Sequence, residues 1–421
     1  MPSVLPLPPH RPLPMRILNA AGRVLARSGL ALPRLDEERL LAAARRRARL
    51  EDFGPESFRP GLRRLIASLE RDAALNQVGR LFAQRQILEL LTHRLRLADH
   101  RARHPELAEE KIERPLFILG LPRTGTSLLH SLLALDPGHR VALSWEVDDP
   151  CPPPEAATYA SDPRIARSER RFAQLRGLAP GVQAIHPVGA LLPQECIVIT
   201  ACEFASLRFE MCFDVSGYQD WLVEQDLRPC YAFHRRFLQH LQSRRPGGRW
   251  VLKSPGHLGP IEALLGEYPD ALIVQMHRDP LQVIPSVASL EYTLRGVASD
   301  AVDPAAVGAQ QLRLWPRLLE QGMDARDRHP EHAHRFCDLH FQEIAADPIG
   351  CVRRIYAQFE LELSPQTLAR MQAHLAAHPR DEHGLHRYSL AMFGLDAELV
   401  SRRFERYRTR FRVASESGDG L

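Results

Sequence analysis

Between about Leu35 and His100, apolar residues recur three and four positions apart, at Leu75, Val78, Leu81, Phe82, Leu88 and Leu91, with arginine and glutamate between them. That spacing lays them along one stripe of a helix. Breaks at Gly54-Pro55 and Pro60-Gly61 divide the segment into three helices. The run Arg45-Arg46-Arg47-Ala48-Arg49 falls inside one of them and reads as a solvated face.

From Arg114 the period changes. Pro115 to Leu119, Arg249 to Lys253 and Ala271 to Met276 are short continuous apolar runs, the form taken by strands covered on both faces. Each is followed by a turn and a helical pattern. A weaker strand near Arg335 to Leu339 precedes a helix from Pro348 to Phe359. Strand, turn and helix in alternation predict an α/β fold: a parallel sheet between helices, with ligands at the carboxyl ends of the strands. The region from Ser364 to Arg412 reads as helical with a turn around Glu382 to Tyr388, and Ser415 to Leu421 as frayed. The expected division is an all-α segment over residues 1–112 and an α/β domain over 113–421.

The chain has 421 residues, 44% of them hydrophobic and 25% charged, which excludes an intrinsically disordered chain and a multi-span membrane protein. A net charge of +4 over this length does not call for nucleic acid, so any anion site must be local. All but two of the 55 basic residues are arginine; the lysines are Lys111 and Lys253. Seven scattered cysteines without a CxxC pair fit a reducing, cytoplasmic setting. The proline-rich start fits no export signal, and no membrane span is expected.

Directly after the first apolar run stands Gly120-Leu121-Pro122-Arg123-Thr124-Gly125-Thr126-Ser127. Backbone N–H groups at a helix start, with glycines that allow close approach, make a phosphate cradle. The spacing is that of a nucleotide-binding G-x4-G-K-[ST] loop, but Thr126 stands where the lysine should be. A kinase or nucleotidase uses that lysine with Mg²⁺ on its triphosphate; this loop offers Arg123 and the hydroxyls of Thr124, Thr126 and Ser127, suited to a single diester-like phosphate. After the third run comes His277-Arg278-Asp279-Pro280, and Ser286 lies eight residues beyond Arg278. An arginine at a strand end and a serine two turns into the next helix can converge on a second phosphate.

With GLPRTGTSLLH, RWVLKSPGH, HRDPLQVIPS and the looser DLHFQEIAADP in that order, the chain resembles the sulfotransferases that use 3′-phosphoadenosine 5′-phosphosulfate (PAPS), in particular a bacterial group near the tyrosylprotein branch. The resemblance covers roughly Arg114 to Arg412. It implies a three-layer α/β/α fold with no catalytic metal. It also implies that Pro122, Arg123, Thr124, Gly125, Thr126 and Ser127 hold the 5′-phosphosulfate, that Arg278 and Ser286 hold the 3′-phosphate, and that Arg387 or Tyr388 touch the adenine or that phosphate. The segment 1–112 has no counterpart in the family's core, and dimer formation or a lid are both open for it.

In-line sulfuryl transfer needs a base for the acceptor proton and cations over the moving group. Lys253 and Arg123 match the cations. For the base, Glu146 resembles the glutamate of the tyrosylprotein branch, though two extra residues precede it. His257 is the second candidate, out of register with the histidine of the cytosolic branch, whose place Pro255 takes. Asp148, Asp149 and Glu195 complete the field. Partial burial beside Trp145 would raise the pKa of Glu146 toward neutrality. The aromatic residues between Cys151 and Gly247, Phe204, Phe209, Phe213, Tyr218, Trp221, Tyr231, Phe233 and Phe237, read first as helix core, and otherwise as the wall of a pocket for an apolar or aromatic alcohol. The acceptor is then a small molecule, lipid or carbohydrate. The rival readings are an ATP- and Mg²⁺-dependent kinase and a non-catalytic binding protein.

Overall fold

In the computed structural model the described residues are 12–28, 34–178, 188–245, 247–378 and 388–416. Five strands, β1 Leu116–Gly120, β2 His139–Arg140, β3 Arg249–Lys253, β4 Leu272–His277 and β5 Phe336–His340, pair in parallel in the order β2-β3-β1-β4-β5. β1 and β4 are buried at every residue, so they appear in the sequence as mainly apolar runs, with Gln275 and His277 the polar residues of β4. Alternate side chains enter two separate cores. Phe117, Leu119 and Ile273 face one, and Leu116, Ile118, Leu272 and Val274 face the other. The sheet is therefore covered on both sides, the expected α/β/α layering.

Four helices precede the sheet: α1 Leu13–Arg27, α2 Glu37–Ala48, α3 Arg59–Arg71 and α4 Gln77–Arg103. Three helices were expected over the range of the last three and the break at Gly54-Pro55 holds, but Pro60-Gly61 opens α3 instead of breaking a helix, and the second break falls at residues 72–76. Asp36 caps α2 by accepting from the Arg39 N–H at 2.9 Å, and Asn76 caps α4 through the Gly79 N–H at 2.8 Å. Leu41, Leu62 and Leu91 join the same core as Phe117 and Ile273, so these helices pack on the sheet's own interior. α1 was not legible from the hydrophobic pattern. Phe204, Phe209, Phe213, Tyr218, Phe233 and Phe237 are buried in that core as well, so the plain packing reading holds for most of the aromatic series.

Beyond β1, a short helix α5 Thr126–Leu133 leads to β2 and then to α6 Ser144–Asp148. The helix Pro348–Gln358 lies where the sequence places it. Of the end expected to fray, Ser415 and Glu416 are bonded to the body of the protein, and residues 417–421 lie outside the described residues. The turn expected around residues 382–388 lies, apart from Tyr388, outside the described residues. Among the described residues no helix is long and apolar enough to cross a membrane.

Candidate active site

β1 and β4 are neighbours, but the connection after β1 runs to β2 on one side and the connection after β4 runs to β5 on the other, so the two part in opposite directions and open a crevice at the carboxyl ends. Three functional segments meet there. The first is the loop between β1 and α5. Gly120 has φ +153°, and a Cβ there would lie 2.6 Å from the Met276 carbonyl; Gly125 has φ +88° at the start of α5. Both positions require glycine. Arg123 at the crest is left-handed at φ 67°, a cost of about 1–2 kcal/mol that the surrounding structure must offset. Its side chain and that of Ser127 are exposed, and Thr126 opens α5. Thr124 is fully buried, and its hydroxyl donates to the Leu121 carbonyl at 2.7 Å. Its side chain thus shapes the loop, leaving its N–H as the group that can meet a ligand.

The second segment is the end of β3. Lys253 points to the α5 side, where its ammonium donates to Ser127 Oγ at 3.2 Å and is ion-paired with Glu195. Beneath it, His130 lies 3.2 Å from the Val251 carbonyl through Nε2, and burial together with Lys253 pushes its pKa down to about 3. The histidine under the loop therefore stays neutral.

The third segment is the end of β4. Arg278 stacks on Phe341 at 3.7 Å and donates to the Arg123 carbonyl at 2.8 Å. Arg123 Nε donates in turn to Ser286 Oγ at 3.3 Å. The loop arginine and the two residues expected at the second phosphate are therefore one cluster. The Glu416 carboxylate occupies Arg278, accepting from Nε at 3.0 Å and from Nη2 at 3.0 Å. The Glu416 N–H is fixed by Asp279 at 2.9 Å. A cavity of about 240 Å³ beside this pair is lined by Arg278, Phe341, Arg412 and Glu416.

The other sequence candidates divide. Glu146 is fully buried on α6, where it accepts from the Leu143 N–H at 2.8 Å and pairs with Arg140 at 3.2 Å. Burial raises its pKa, the direction expected, but the carboxylate is spent on local structure. Asp148 accepts from Ser168 at 2.8 Å and Asp149 from Arg167 at 3.0 Å, both on the helix Pro163–Leu178. The carboxylate brought to Lys253 is Glu195, which the sequence offers as one of the minor candidates for the base and as a residue that opens a helix.

His257 is buried edge-on to Phe117, with Nδ1 2.7 Å from the Tyr231 hydroxyl, and burial holds its pKa well below the usual value. It lies on the wall of a cavity of about 650 Å³, also lined by Ile197, Leu207, Leu222, Tyr231 and Ser254. Tyr388 packs against the small cluster of Ala288, Val307 and Phe393. Arg387 lies outside the described residues.

A parallel sheet with a glycine-bearing, lysine-free loop after β1 and an arginine and serine gathered beside it from the end of β4 and the following helix is the arrangement of a P-loop-like core. The sulfotransferase family profile matches residues 115–365. The chain is similar to the solved structures of sulfotransferase STF1 from Mycobacterium tuberculosis (33% identity, TM-score 0.80, covering 88% of this chain and 98% of that one) and STF9 from Mycobacterium avium (30% identity, TM-score 0.83, 90% and 97% covered). It is also similar to an omega-hydroxy-beta-dihydromenaquinone-9 sulfotransferase, Stf3, of Mycobacterium tuberculosis, 28% identical over 280 residues that are 63% of this chain and 67% of that protein. The chain belongs to the sulfotransferase family: it is an enzyme that transfers a sulfuryl group from PAPS to a hydroxyl. The two solved relatives cover more of the chain than residues 113–421 alone could supply, so part of the N-terminal helical segment has counterparts in them.

Proposed function

We propose that the acceptor is an apolar, lipid-like alcohol, that Glu195 is the base and that Lys253 and Arg123 carry the transfer. The Glu195–Lys253 ion pair beside Ser127 is the observation that supports the assignment most. It places a proton acceptor and a compact cation together at the mouth of the phosphate loop. In a chain that writes almost every basic residue as arginine, an ammonium there suits a point contact on the moving group better than a planar guanidinium would.

The donor supplies the sulfuryl group and departs as adenosine 3′,5′-bisphosphate. The N–H groups from Arg123 to Ser127 cradle its 5′-phosphate end; Arg278 and Ser286 take the 3′-phosphate, with Phe341 beneath the guanidinium. Glu195 removes the acceptor proton, and Lys253 and Arg123 stabilise charge on the oxygens between the two substrates. The residues fit this donor on their chemistry: two separate cation-and-hydroxyl sets face one crevice, and Glu416 lends its carboxylate to the second in the manner of an anionic ligand.

For the acceptor, the cavity of about 650 Å³ has an apolar part from Ile197, Leu207 and Leu222 in a lining that also carries Asp226, Arg228 and Asp324, and it begins next to the site: Ile197 is two residues from Glu195 and Ser254 follows Lys253. The relative that acts on a hydroxylated dihydromenaquinone favours the same chemistry. The test is a transfer assay with labelled PAPS, comparing long-chain and isoprenoid alcohols with sugars and simple phenols. Turnover confined to sugars would overturn the acceptor class, and leave the reaction class standing.

A further inference from the structure

Helix α1 is built inside out. It docks on the protein through Met15, Asn19 and Gly22, all buried, and Asn19 Oδ1 accepts from the Val78 N–H of α4 at 3.0 Å. Its apolar side chains face outward: Leu13 is 64% exposed, Ile17 59% and Val24 64%. With Ala20, these occupy positions i, i+4, i+7 and i+11, a single solvent-facing stripe. Exposed single leucines are ordinary, but a continuous helical stripe of them is not. On the adjoining α4, Leu81 and Phe82 are exposed too, one turn beyond the residues that α1 touches.

Charge indicates what covers the stripe. No acidic residue precedes Asp36, whereas arginines stand at 11, 16, 23, 27 and 34. Arg16 and Arg23 are exposed, and Arg23 reaches Asp300 at 3.1 Å. An apolar stripe beside arginines, on a helix without a carboxylate, is the pattern of a helix that lies in a membrane interface with anionic headgroups. A second protein copy would bring its own Arg16 and Arg23 to the same stripe.

We infer that α1 is an interfacial helix that seats the enzyme on an anionic lipid surface, with Leu13, Ile17 and Val24 in the headgroup layer. The inference stands on α1 alone and holds whichever alcohol the enzyme sulfates; seated in this way, the enzyme could meet a lipid-borne acceptor without releasing it to water.

The test is co-sedimentation of the full chain with vesicles of phosphatidylglycerol mixed into phosphatidylcholine, and with phosphatidylcholine alone, for the wild type and for Ile17→Glu/Val24→Glu. Adenosine 3′,5′-bisphosphate binding by both proteins reports that the variant is folded. The wild type should pellet with the anionic vesicles and much less with the neutral ones, and the double substitution should weaken that binding at least about tenfold. Wild-type protein that stays in solution, or a variant that pellets equally well, overturns the inference. So does a wild-type dimer that the same substitutions convert to a monomer, since the stripe would then belong to self-association.

Discussion

The ammonium of Lys253 is held between the carboxylate of Glu195 and the hydroxyl of Ser127, 3.2 Å away, which ties the end of β3 to the phosphate loop. Replacing Glu195 by glutamine keeps the size and removes the proton acceptor. The expected result is a fall in kcat of about 10²–10⁴-fold. Affinity for adenosine 3′,5′-bisphosphate should change little. Turnover within a few-fold of wild type would remove Glu195 from the base role.

Glu146 answers differently, because its carboxylate is buried against Arg140. Glu146→Ala leaves that guanidinium in the core without its charge partner, a loss of about 3–5 kcal/mol. Thermal unfolding should show a large drop in Tm. A Glu146→Gln protein that remains stable should keep most of its activity; a stable but inactive one would restore Glu146 as the base.

Arg278 cannot hold Glu416 and a 3′-phosphate with the same donors. Glu416→Gln should therefore tighten adenosine 3′,5′-bisphosphate binding, by several-fold to about tenfold, since the competing anion is removed. Arg278→Ala should weaken binding roughly ten- to a hundredfold. Calorimetric titration of both variants checks this, and tighter binding in Arg278→Ala would invert the assignment.

Stability should depend on pH through two buried acids. Glu210 accepts from Gln219, and Glu291 pairs with Arg295 at 2.6 Å. Burial, with Glu291 nearby, raises Glu210 well above the ordinary value, and burial raises Glu291 from 4.5 to about 7. Raised carboxyl groups stabilise the fold fully below their unfolded pKa and lose that contribution as pH rises toward the folded one. Tm should therefore fall between about pH 4.5 and 7, and Glu210→Gln should flatten the decline. An unchanged slope would place the pH dependence elsewhere.

The strands were readable because a strand buried on both faces is mostly apolar, as β1 is throughout and as β4 is apart from Gln275 and His277. The gathering of the loop after β1 with Arg278 and Ser286 was readable because it depends on short spacings after two strands. α1 was not: its apolar residues face outward, and a proline-rich stretch precedes it. Nor could spacing tell where Glu146 points. Its place as the third residue of a short helix, where a glutamate reaches back to the preceding N–H, was the available signal. Glu195 reaches Lys253 from 58 residues away in the chain, a meeting that only the fold specifies. Ser415 and Glu416 look like a polar tail, and only the positions of Arg408 and Arg278 give them partners.

The most direct test is calorimetric titration of the wild-type protein with adenosine 3′,5′-bisphosphate and, separately, with ATP, each with and without Mg²⁺. A crevice with one phosphate cradle at β1 and a second anion site at β4 should bind the bisphosphate tightly and indifferently to Mg²⁺, and ATP only weakly. Mg²⁺-dependent ATP binding with no response to the bisphosphate would contradict it.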